Sequence, residues 1–266
     1  MEPTVTAVIV SLIVGLFIGL LSGMLGVGGG SIMVPVFTLG YALEAIKATA
    51  TSLFTIIPTA IAGSITHIRQ RTCVVGLGVA AGLGGACVSP LGVYLASISP
   101  SWAIIVAAAA VILWSAVKML RKAVRAPKVK ASDEVIPPAP RMLPARQLVK
   151  GFFIGAIAGL AAGYVGIGGG FLMTPLFVVL LDLSMKHASG TSLLAIAILS
   201  VPGAVEQLMF GNVVVWLGLA IAAGSIPGAI VGAKLIKRVS ERNLRFGFGA
   251  ILGVCAVAMV LREIAG

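Results

Sequence analysis

The sequence Gly-Val-Gly-Gly-Gly at residues 26–30 interrupts a long apolar segment, and it returns as Gly-Ile-Gly-Gly-Gly at residues 166–170. Glycine is a poor helix former, so a run of this kind is expected to break a helix. Non-helical backbone is tolerated at membrane depth only inside protein or beside a water-filled cavity. If these segments lie in a membrane, each glycine run therefore marks an internal position.

The two runs belong to a repeat that covers nearly the whole chain, in which the two halves align at an offset of 140 residues. The matched pairs outside the runs include Gly19 and Gly159, Gly23 and Gly163, Pro35 and Pro175, Thr51 and Thr191, Ser52 and Ser192, and Gly78 and Gly218. The register never slips, which indicates a duplicated unit rather than a shared membrane composition. The chain therefore divides into a first membrane repeat (1–120), a Pro-rich basic cytoplasmic linker (121–147) and a second membrane repeat (148–266).

The composition places the chain in a membrane. Its 266 residues are 59% apolar and 10% charged, and the mean hydropathy is +1.13. Soluble domains carry about 25% charged residues, so this composition excludes a cytosolic enzyme, a secreted disulfide scaffold and a disordered chain. The apolar stretches are continuous rather than alternating, which argues against an outer-membrane barrel. The predicted fold class is an all-α polytopic membrane protein.

Each repeat contains four long apolar segments and one short one. The segments are 5–26, 31–43, 48–66, 74–98 and 103–120 in the first repeat, and 149–166, 171–181, 188–210, 213–233 and 244–261 in the second. As helices, the short segments 31–43 and 171–181 would be roughly 16–20 Å long, which is less than the ~30 Å hydrocarbon core of a bilayer. We interpret them as half-helices that begin after the glycine runs.

The distribution of charge predicts the orientation of the two repeats. The formal net charge of +11 is concentrated at residues 118–150 and 234–245. A nucleic-acid-binding protein could concentrate charge in this way, but the positive-inside rule explains it in a membrane protein, and we expect no nucleic-acid partner. Arg69 and Arg71 lie in one loop, whereas the matched loop 207–213 has neither lysine nor arginine. The basic loops therefore lie at opposite ends of matched segments in the two repeats. This difference predicts inverted repeats, with both termini outside the cytoplasm.

Inverted repeats require an odd number of net crossings in each half. There are three if the first long segment and the short one form a re-entrant hairpin, and five if the short segment also spans the membrane. The sequence leaves both arrangements open.

The glycine runs also provide a candidate binding site. A helix that begins after a break presents unpaired N–H groups and the positive end of its dipole, and both attract anions. Broken helices at matching positions of two repeats point to a transporter site. The predicted substrate-binding residues in these stretches are Gly28, Gly29, Gly30, Ser31, Gly168, Gly169, Gly170 and Phe171. The alternative is that the glycines serve close helix packing, as in small-xxx-small motifs.

Duplicated hydroxyl side chains follow the runs. Thr51 and Ser52 match Thr191 and Ser192. Their hydroxyl groups are candidates for donating hydrogen bonds to a bound oxyanion. The alternative is that they cap helices or bond to the preceding turn.

A few ionisable residues lie near these features. Lys47 and His187 occupy matched positions, and His67 and Glu206 lie at the ends of matched segments. A cation here could attract an anion, and His67 or Glu206 could titrate during coupling to protons. The alternative is that all four are residues at helix ends that reach the membrane interface.

Enzyme chemistry finds no support in the sequence. The glycine runs lack the preceding strand and the following acid of a dinucleotide-binding site, and hydrolase and metalloprotease motifs do not occur. We therefore expect no enzymatic activity, no cofactor and no metal ion.

The duplicated GxxGxGGG motif with its following proline, the Thr-Ser-Leu triplets at 51–53 and 191–193, and the Gly-Asn-Val stretch before Trp216 resemble the TauE/SafE family. This family is also called the toluene sulfonate uptake permease family. The resemblance covers nearly the whole chain except the linker. It implies a multi-pass secondary transporter of the prokaryotic inner membrane that moves small sulfur-containing anions such as sulfite, sulfoacetate or other organosulfonates.

The resemblance agrees with an anion site made of backbone N–H groups and hydroxyls between inverted repeats that alternate in access. The expected partners are a small anionic substrate and the lipid bilayer. The coupling ion, proton or sodium, the direction of transport and the oligomeric state are left open. Two other classes also stay open, namely an anion channel of the same architecture and a membrane sensor or assembly subunit that does not transport.

Overall fold

The computed structural model describes residues 5–126, 139, 144–165 and 168–265. Most of the predicted linker 121–147, together with Gly166 and Ile167 of the second glycine run, lies outside the described residues. Over the described part, the chain is a bundle of helices joined by short connections. The all-helical fold class is therefore confirmed.

The helices follow the predicted order of long and short segments. In chain order they are α1 (Val5–Leu25), α2 (Gly30–Gly40), α3 (Ala45–Arg69), α4 (Val75–Ile98), α5 (Ser101–Arg125), α6 (Ala145–Val165), α7 (Gly170–Leu180), α8 (Met185–Met209), α9 (Val215–Leu235) and α10 (Glu241–Ala265). The second half of α2, Val36–Gly40, is a π-helical turn, and a 3₁₀ turn, Ile236–Arg238, joins α9 to α10.

Six of the long helices are long enough and apolar enough to cross a membrane, namely α1, α3, α4, α6, α8 and α9. The other two long helices, α5 and α10, have 25 residues each; the basic residues of α5 lie in its last part, and α10 has arginines near both of its ends. The short helices α2 and α7 have the lengths predicted for half-helices. The chain is thus a multi-pass membrane protein.

The glycine runs break the helices because their backbone takes a left-handed conformation. Gly28 and Gly29 have φ angles of 77° and 81°, and Gly168 and Gly169 have φ angles of 77° and 68°. Residues with side chains rarely adopt such angles, whereas glycine does so at little steric cost. Gly29 and Gly169 are the residues at which α2 and α7 begin.

Glycine rows outside the runs hold the helices together across the two halves. Gly15, Gly19 and Gly23 on α1 lie directly against backbone carbonyl groups of α9, and a methyl group on any of them would overlap those carbonyls. The matched glycines of α6 (Gly155, Gly159 and Gly163) lie against the backbone of α4 in the same way. These glycine rows thus serve helix packing, because small residues let the helix backbones approach closely.

The contacts between the halves come in exchanged pairs. Gly19 of α1 contacts Ser225 of α9. Gly159, which matches Gly19, contacts Gly85, which matches Ser225. The same exchange holds for Gly15 with Ile221 and Gly155 with Ala81, and for Gly23 with Ala229 and Gly163 with Ser89.

The central helices α3 and α8 run antiparallel. Gly63, near the end of α3, lies against Leu193 in the first part of α8, and Gly203, near the end of α8, lies against Leu53 in the first part of α3. In contrast, α1 runs in the same direction as α9, because Gly15 and Gly23 meet Ile221 and Ala229 in order.

One end of the bundle carries most of the described basic side chains. We call it the basic end, and it comprises the loop at residues 69–74, the ends of α5 and α9, and the starts of α6, α8 and α10. Side-chain bonds join these parts, since Arg242 Nε donates to the Ala123 carbonyl at 3.3 Å and Glu241 Oε1 accepts from the Met185 N–H at 2.7 Å. At the opposite end, Lys47 pairs with Glu44 at 3.4 Å.

Candidate functional site

The two glycine turns meet around a pair of isoleucines in the middle of the bundle. Gly28 lies against both Ile56 and Ile196, Gly168 lies against Ile56, and Gly170 lies against Ile196. Ile56 and Ile196 are a matched pair on α3 and α8, and both are fully buried. The structure therefore brings together the predicted residues Gly28–Gly30 and Gly168–Gly170, and it places apolar side chains between them.

The short helices begin at these turns, inside the bundle. Ile32 and Met33 donate to the Gly29 carbonyl at 3.0 and 2.8 Å, and Leu172 and Met173 donate to the Gly169 carbonyl at 3.1 and 2.9 Å. The N–H groups of Gly30, Ser31 and Phe171 lie in the first turn, where a helix offers no internal acceptor, whereas the Gly170 N–H donates to the Gly168 carbonyl at 2.9 Å. Ser31 and Phe171 occupy this turn in α2 and α7, and both are fully buried.

The hydroxyls near the first glycine turn are buried and unbonded. Ser22 Oγ, Ser31 Oγ and Ser52 Oγ have no hydrogen-bond partner among the residues that the structure describes. A buried hydroxyl without a partner costs about 1–3 kcal/mol. A bound group with hydrogen-bond acceptors would remove that cost.

The second half differs from the first at the matched positions. Ser192 Oγ donates to the Gly26 carbonyl at 2.7 Å and accepts from Thr174 Oγ1 at 2.9 Å. Phe171 takes the place that Ser31 has in the first half. The unbonded hydroxyls named above thus belong to the first repeat.

Thr51 and Thr191 hold the starts of helices in the opposite half. Thr51 Oγ1 accepts from the Val214 N–H, and Thr191 Oγ1 accepts from the Val74 N–H, both at 3.0 Å. Thr191 also donates to the His187 carbonyl at 2.7 Å. These bonds agree with the alternative that the two hydroxyls cap helices. The contact of Thr51 and Thr191 with substrate stays a prediction.

His67 is fully buried in the last turn of α3. Its Nε2 lies 2.8 Å from the Gly23 carbonyl of α1, and its Nδ1 lies 2.8 Å from Thr72 Oγ1. The carbonyl can only accept, so Nε2 carries the proton and Nδ1 accepts from the threonine hydroxyl. His67 therefore ties α3 to α1 just before the first glycine turn.

The sequence analysis missed Gln207, which occupies the position matched to His67. Gln207 is 2% exposed, and its Oε1 accepts from Asn212 Nδ2 at 2.7 Å. Asn212 matches Thr72, so the same bond over five residues occurs in both halves. The signal was the exact offset of 140, which pairs His67 with Gln207 rather than with Glu206.

The remaining predicted ionisable residues lie away from the glycine turns. His187 is in the first turn of α8 at the basic end, where its Nδ1 lies 2.8 Å from Ser184 Oγ. Lys47 is at the opposite end, in its pair with Glu44, and Glu206 is half-buried in the last turn of α8. The structure thus does not gather Lys47, His67, His187 and Glu206 into one cluster.

The sequence analysis also missed Lys186, beside His187 at the basic end. This lysine is 2% exposed, although lysine is almost never fully buried. Its matched residue in the first half is Ile46. The sequence signal for Lys186 was that a lysine occupies a position that is apolar in the other repeat.

Outside the glycine turns, the described structure holds a buried thiol and an apolar groove. Among the described residues, no three His, Cys, Asp or Glu side chains gather as a metal site. Burial raises the pKa of the Cys73 thiol, in the loop between α3 and α4, to about 12, so it stays protonated at neutral pH. A lateral groove of about 700 Å³ among α4, α5, α6 and α7 has an apolar lining that includes Trp114 and Tyr164.

Comparison with known proteins agrees with this architecture. The sequence profile of the family described as "Sulfite exporter TauE/SafE" matches residues 11–259. The chain is 26% identical to "Probable membrane transporter protein YdhB" of Bacillus subtilis over 86% of its own length and 92% of the relative's. It is also 26% identical to "Probable membrane transporter protein YunE" of the same organism, over 83% of the chain and 85% of the relative.

A more distant relative comes from an archaeon. The chain is 23% identical to "Probable membrane transporter protein MJ0441" of Methanocaldococcus jannaschii, over 90% of each chain. No solved structure matches the chain significantly. The names of these relatives are those of membrane transporters rather than enzymes.

Proposed function

Because the chain belongs to the sulfite exporter TauE/SafE family, and its relatives are named as membrane transporters, we propose that it moves small sulfur-containing anions across the membrane. Sulfite, sulfoacetate and other organosulfonates are the substrates of the proposal. The protein acts as a secondary transporter of a prokaryotic inner membrane, without enzymatic activity.

The observation that carries the proposal is the first glycine turn and its hydroxyls. The start of α2 supplies N–H groups and the positive end of a helix dipole, and Ser31 and Ser52 add two buried hydroxyls with no described partner. Sulfite and sulfonate groups offer three acceptor oxygens and a negative charge, which such donors match. The substrate binds there, next to Gly28–Gly30, and the turn at Gly168–Gly170 borders the same region.

Inverted repeats support transport by alternating access. In such repeats, matched helices run in opposite directions, as α3 and α8 do. The exchanged contacts between the halves support the same view, because a two-fold rotation that reverses a central helix also reverses its whole repeat. Rocking one half against the other would open the glycine turns first to one side and then to the other.

The hydrogen bond between Ser11 and Tyr41 bears on the number of crossings. It is 2.6 Å long and places the end of α2 beside the first part of α1. The two helices then form a re-entrant hairpin, which favours three net crossings in each half. With the basic end in the cytoplasm, both termini lie outside it. Reporter fusions at the N-terminus test this, and a cytoplasmic N-terminus would contradict it.

Coupling to an ion is part of the proposal. His67 contacts the last turn of α1, so a change in its protonation would act directly on the helix that leads into the first glycine turn. Glu206 is the acidic candidate on α8. Proton coupling through His67 is the form that we propose.

The test is uptake by the purified protein in proteoliposomes. Radiolabelled sulfite and a panel of organosulfonates would be supplied with and without an imposed proton gradient. Accumulation of one of them against its own gradient, only with the proton gradient, is the expected result. Fast flux that never exceeds equilibrium would identify an anion channel, and binding without flux would identify a sensor or assembly subunit.

A further inference from the structure

We propose that Ile56 and Ile196 form an apolar gate that closes the pathway between the two halves at its centre. This inference rests on the proposed transport function and adds the element that prevents leakage. The two residues are a matched pair, each in the middle of its helix, α3 or α8. Both lie against Gly28, so they are at the same depth in the bundle.

The contacts of the two side chains place them where both broken helices meet. A Cβ on Gly168 would lie 2.6 Å from Ile56 Cδ1, and one on Gly28 would lie 3.0 Å from Ile196 Cδ1 and 3.6 Å from Ile56 Cγ2. Both isoleucines therefore fill the space that the missing glycine side chains leave. Each side chain is 0% exposed, so the centre is closed in this structure.

Polar groups lie on either side of this apolar layer. Ser52 is one helical turn before Ile56 on α3, and Ser192 is one turn before Ile196 on α8. Since α3 and α8 are antiparallel, these two serines lie on opposite sides of the isoleucine pair. An anion that moves from one serine to the other must pass the isoleucines, and a narrow apolar constriction excludes water and ions by dewetting.

The gate is tested with the double variant Ile56→Ala, Ile196→Ala in proteoliposomes. The readout is passive chloride efflux, measured with a fluorescent indicator while the membrane potential is held at zero. The matched control is Ile61→Ala, Val201→Ala, a pair on the same two helices whose side chains are 44% and 43% exposed. Size-exclusion profiles and thermal unfolding establish that each variant is folded.

We expect the double variant to leak chloride about tenfold faster than the wild type, because shorter side chains leave room for water in the constriction. The control is expected to leak at the wild-type rate. A folded double variant with wild-type efflux would overturn the gate. If the alanine variant fails to fold, Ile56→Val, Ile196→Val gives a smaller change in the same comparison, and wild-type efflux from that variant would count equally against it.

Chloride keeps this test separate from the choice of substrate. Wild-type protein that moves no sulfur anion, combined with a chloride leak in the alanine variant, would reject the proposed substrate and support the gate. Sulfite uptake by the wild type without any leak in the folded variants would support the substrate and reject the gate.

Discussion

Thr191 Oγ1 accepts a hydrogen bond from the Val74 backbone N–H at 3.0 Å, which joins the first part of α8 to the start of α4 in the other half of the chain. The matched bond joins Thr51 to Val214 at the same distance. Both bonds satisfy an N–H group at a helix start, where no internal acceptor exists. The hydroxyls of Thr51 and Thr191 thus hold the two halves in register.

We predict that Thr191→Val destabilises the protein. Valine has the same shape but leaves the buried Val74 N–H without its acceptor, which costs about 1–3 kcal/mol. Thermal unfolding in detergent would measure the loss. Thr66→Val is the control, because Thr66 Oγ1 donates to the Ala62 carbonyl of its own helix at 3.0 Å. Equal melting temperatures for the two variants would show that the bond to Val74 contributes nothing.

Ser31→Ala and Ser52→Ala are expected to act in the opposite way. Each removes a buried hydroxyl without a described partner, so stability should stay the same or rise. Substrate affinity should fall about tenfold if each hydroxyl donates to the bound anion, a change of about 1.4 kcal/mol. Uptake kinetics and thermal unfolding would be measured together. Ser97→Ala, at the exposed end of α4, is the control, and unchanged apparent affinity in both site variants would remove the serines from the site.

Gly29→Leu is predicted to abolish transport while leaving membrane insertion intact. Gly29 has a φ angle of 81°, which leucine rarely adopts, and a side chain there would press against Ile18 and Met33. The start of α2 would therefore shift. Gly253→Leu is the control, because a side chain at Gly253 meets nothing within 4 Å. The two variants would be compared for membrane abundance and for sulfite uptake, and normal uptake by Gly29→Leu would refute its role. The matched variant Gly169→Leu is expected to behave like Gly29→Leu.

His67→Gln separates a structural from a coupling role. Glutamine can keep a donor to the Gly23 carbonyl, and the chain already uses Gln207 at the matched position, so the variant should fold with near-native stability. It cannot titrate, so we predict that uptake loses its dependence on the proton gradient.

His187→Gln serves as the control for that variant, since it removes the other histidine at the basic end. Uptake would be measured with and without the gradient in both. Gradient-driven accumulation that persists in His67→Gln would assign His67 to helix anchoring alone.

The helices could be predicted from the sequence because they end at glycine runs or at polar loops, which are visible in the sequence. The short helices, expected at 31–43 and 171–181, span Gly30–Gly40 and Gly170–Leu180. Gly28, Gly29, Gly168 and Gly169 take left-handed conformations that glycine adopts at little cost, and such a local preference is what a sequence records directly.

The side chains that fill the centre of the bundle could not be predicted in the same way. Ile56 and Ile196 are apolar residues in apolar helices, and only the tertiary packing distinguishes them from the lipid-facing Ile61 and Val201. The roles of Thr51 and Thr191 depend on Val214 and Val74, which are far away in the chain. The burial of Lys186 depends in the same way on the helices that surround it.

The exchange of partners between the halves also sets the order in which the protein can be assembled. Gly15 on α1 precedes its partner Ile221 by 206 residues in the chain (221 − 15). At a synthesis rate of about 5–20 residues per second, α1 is therefore made roughly 10–40 s before the helix that covers its glycine face. Neither half can complete its helix packing alone, so a chain that stops before α9 leaves a membrane fragment without its proper neighbours, exposed to quality-control proteases.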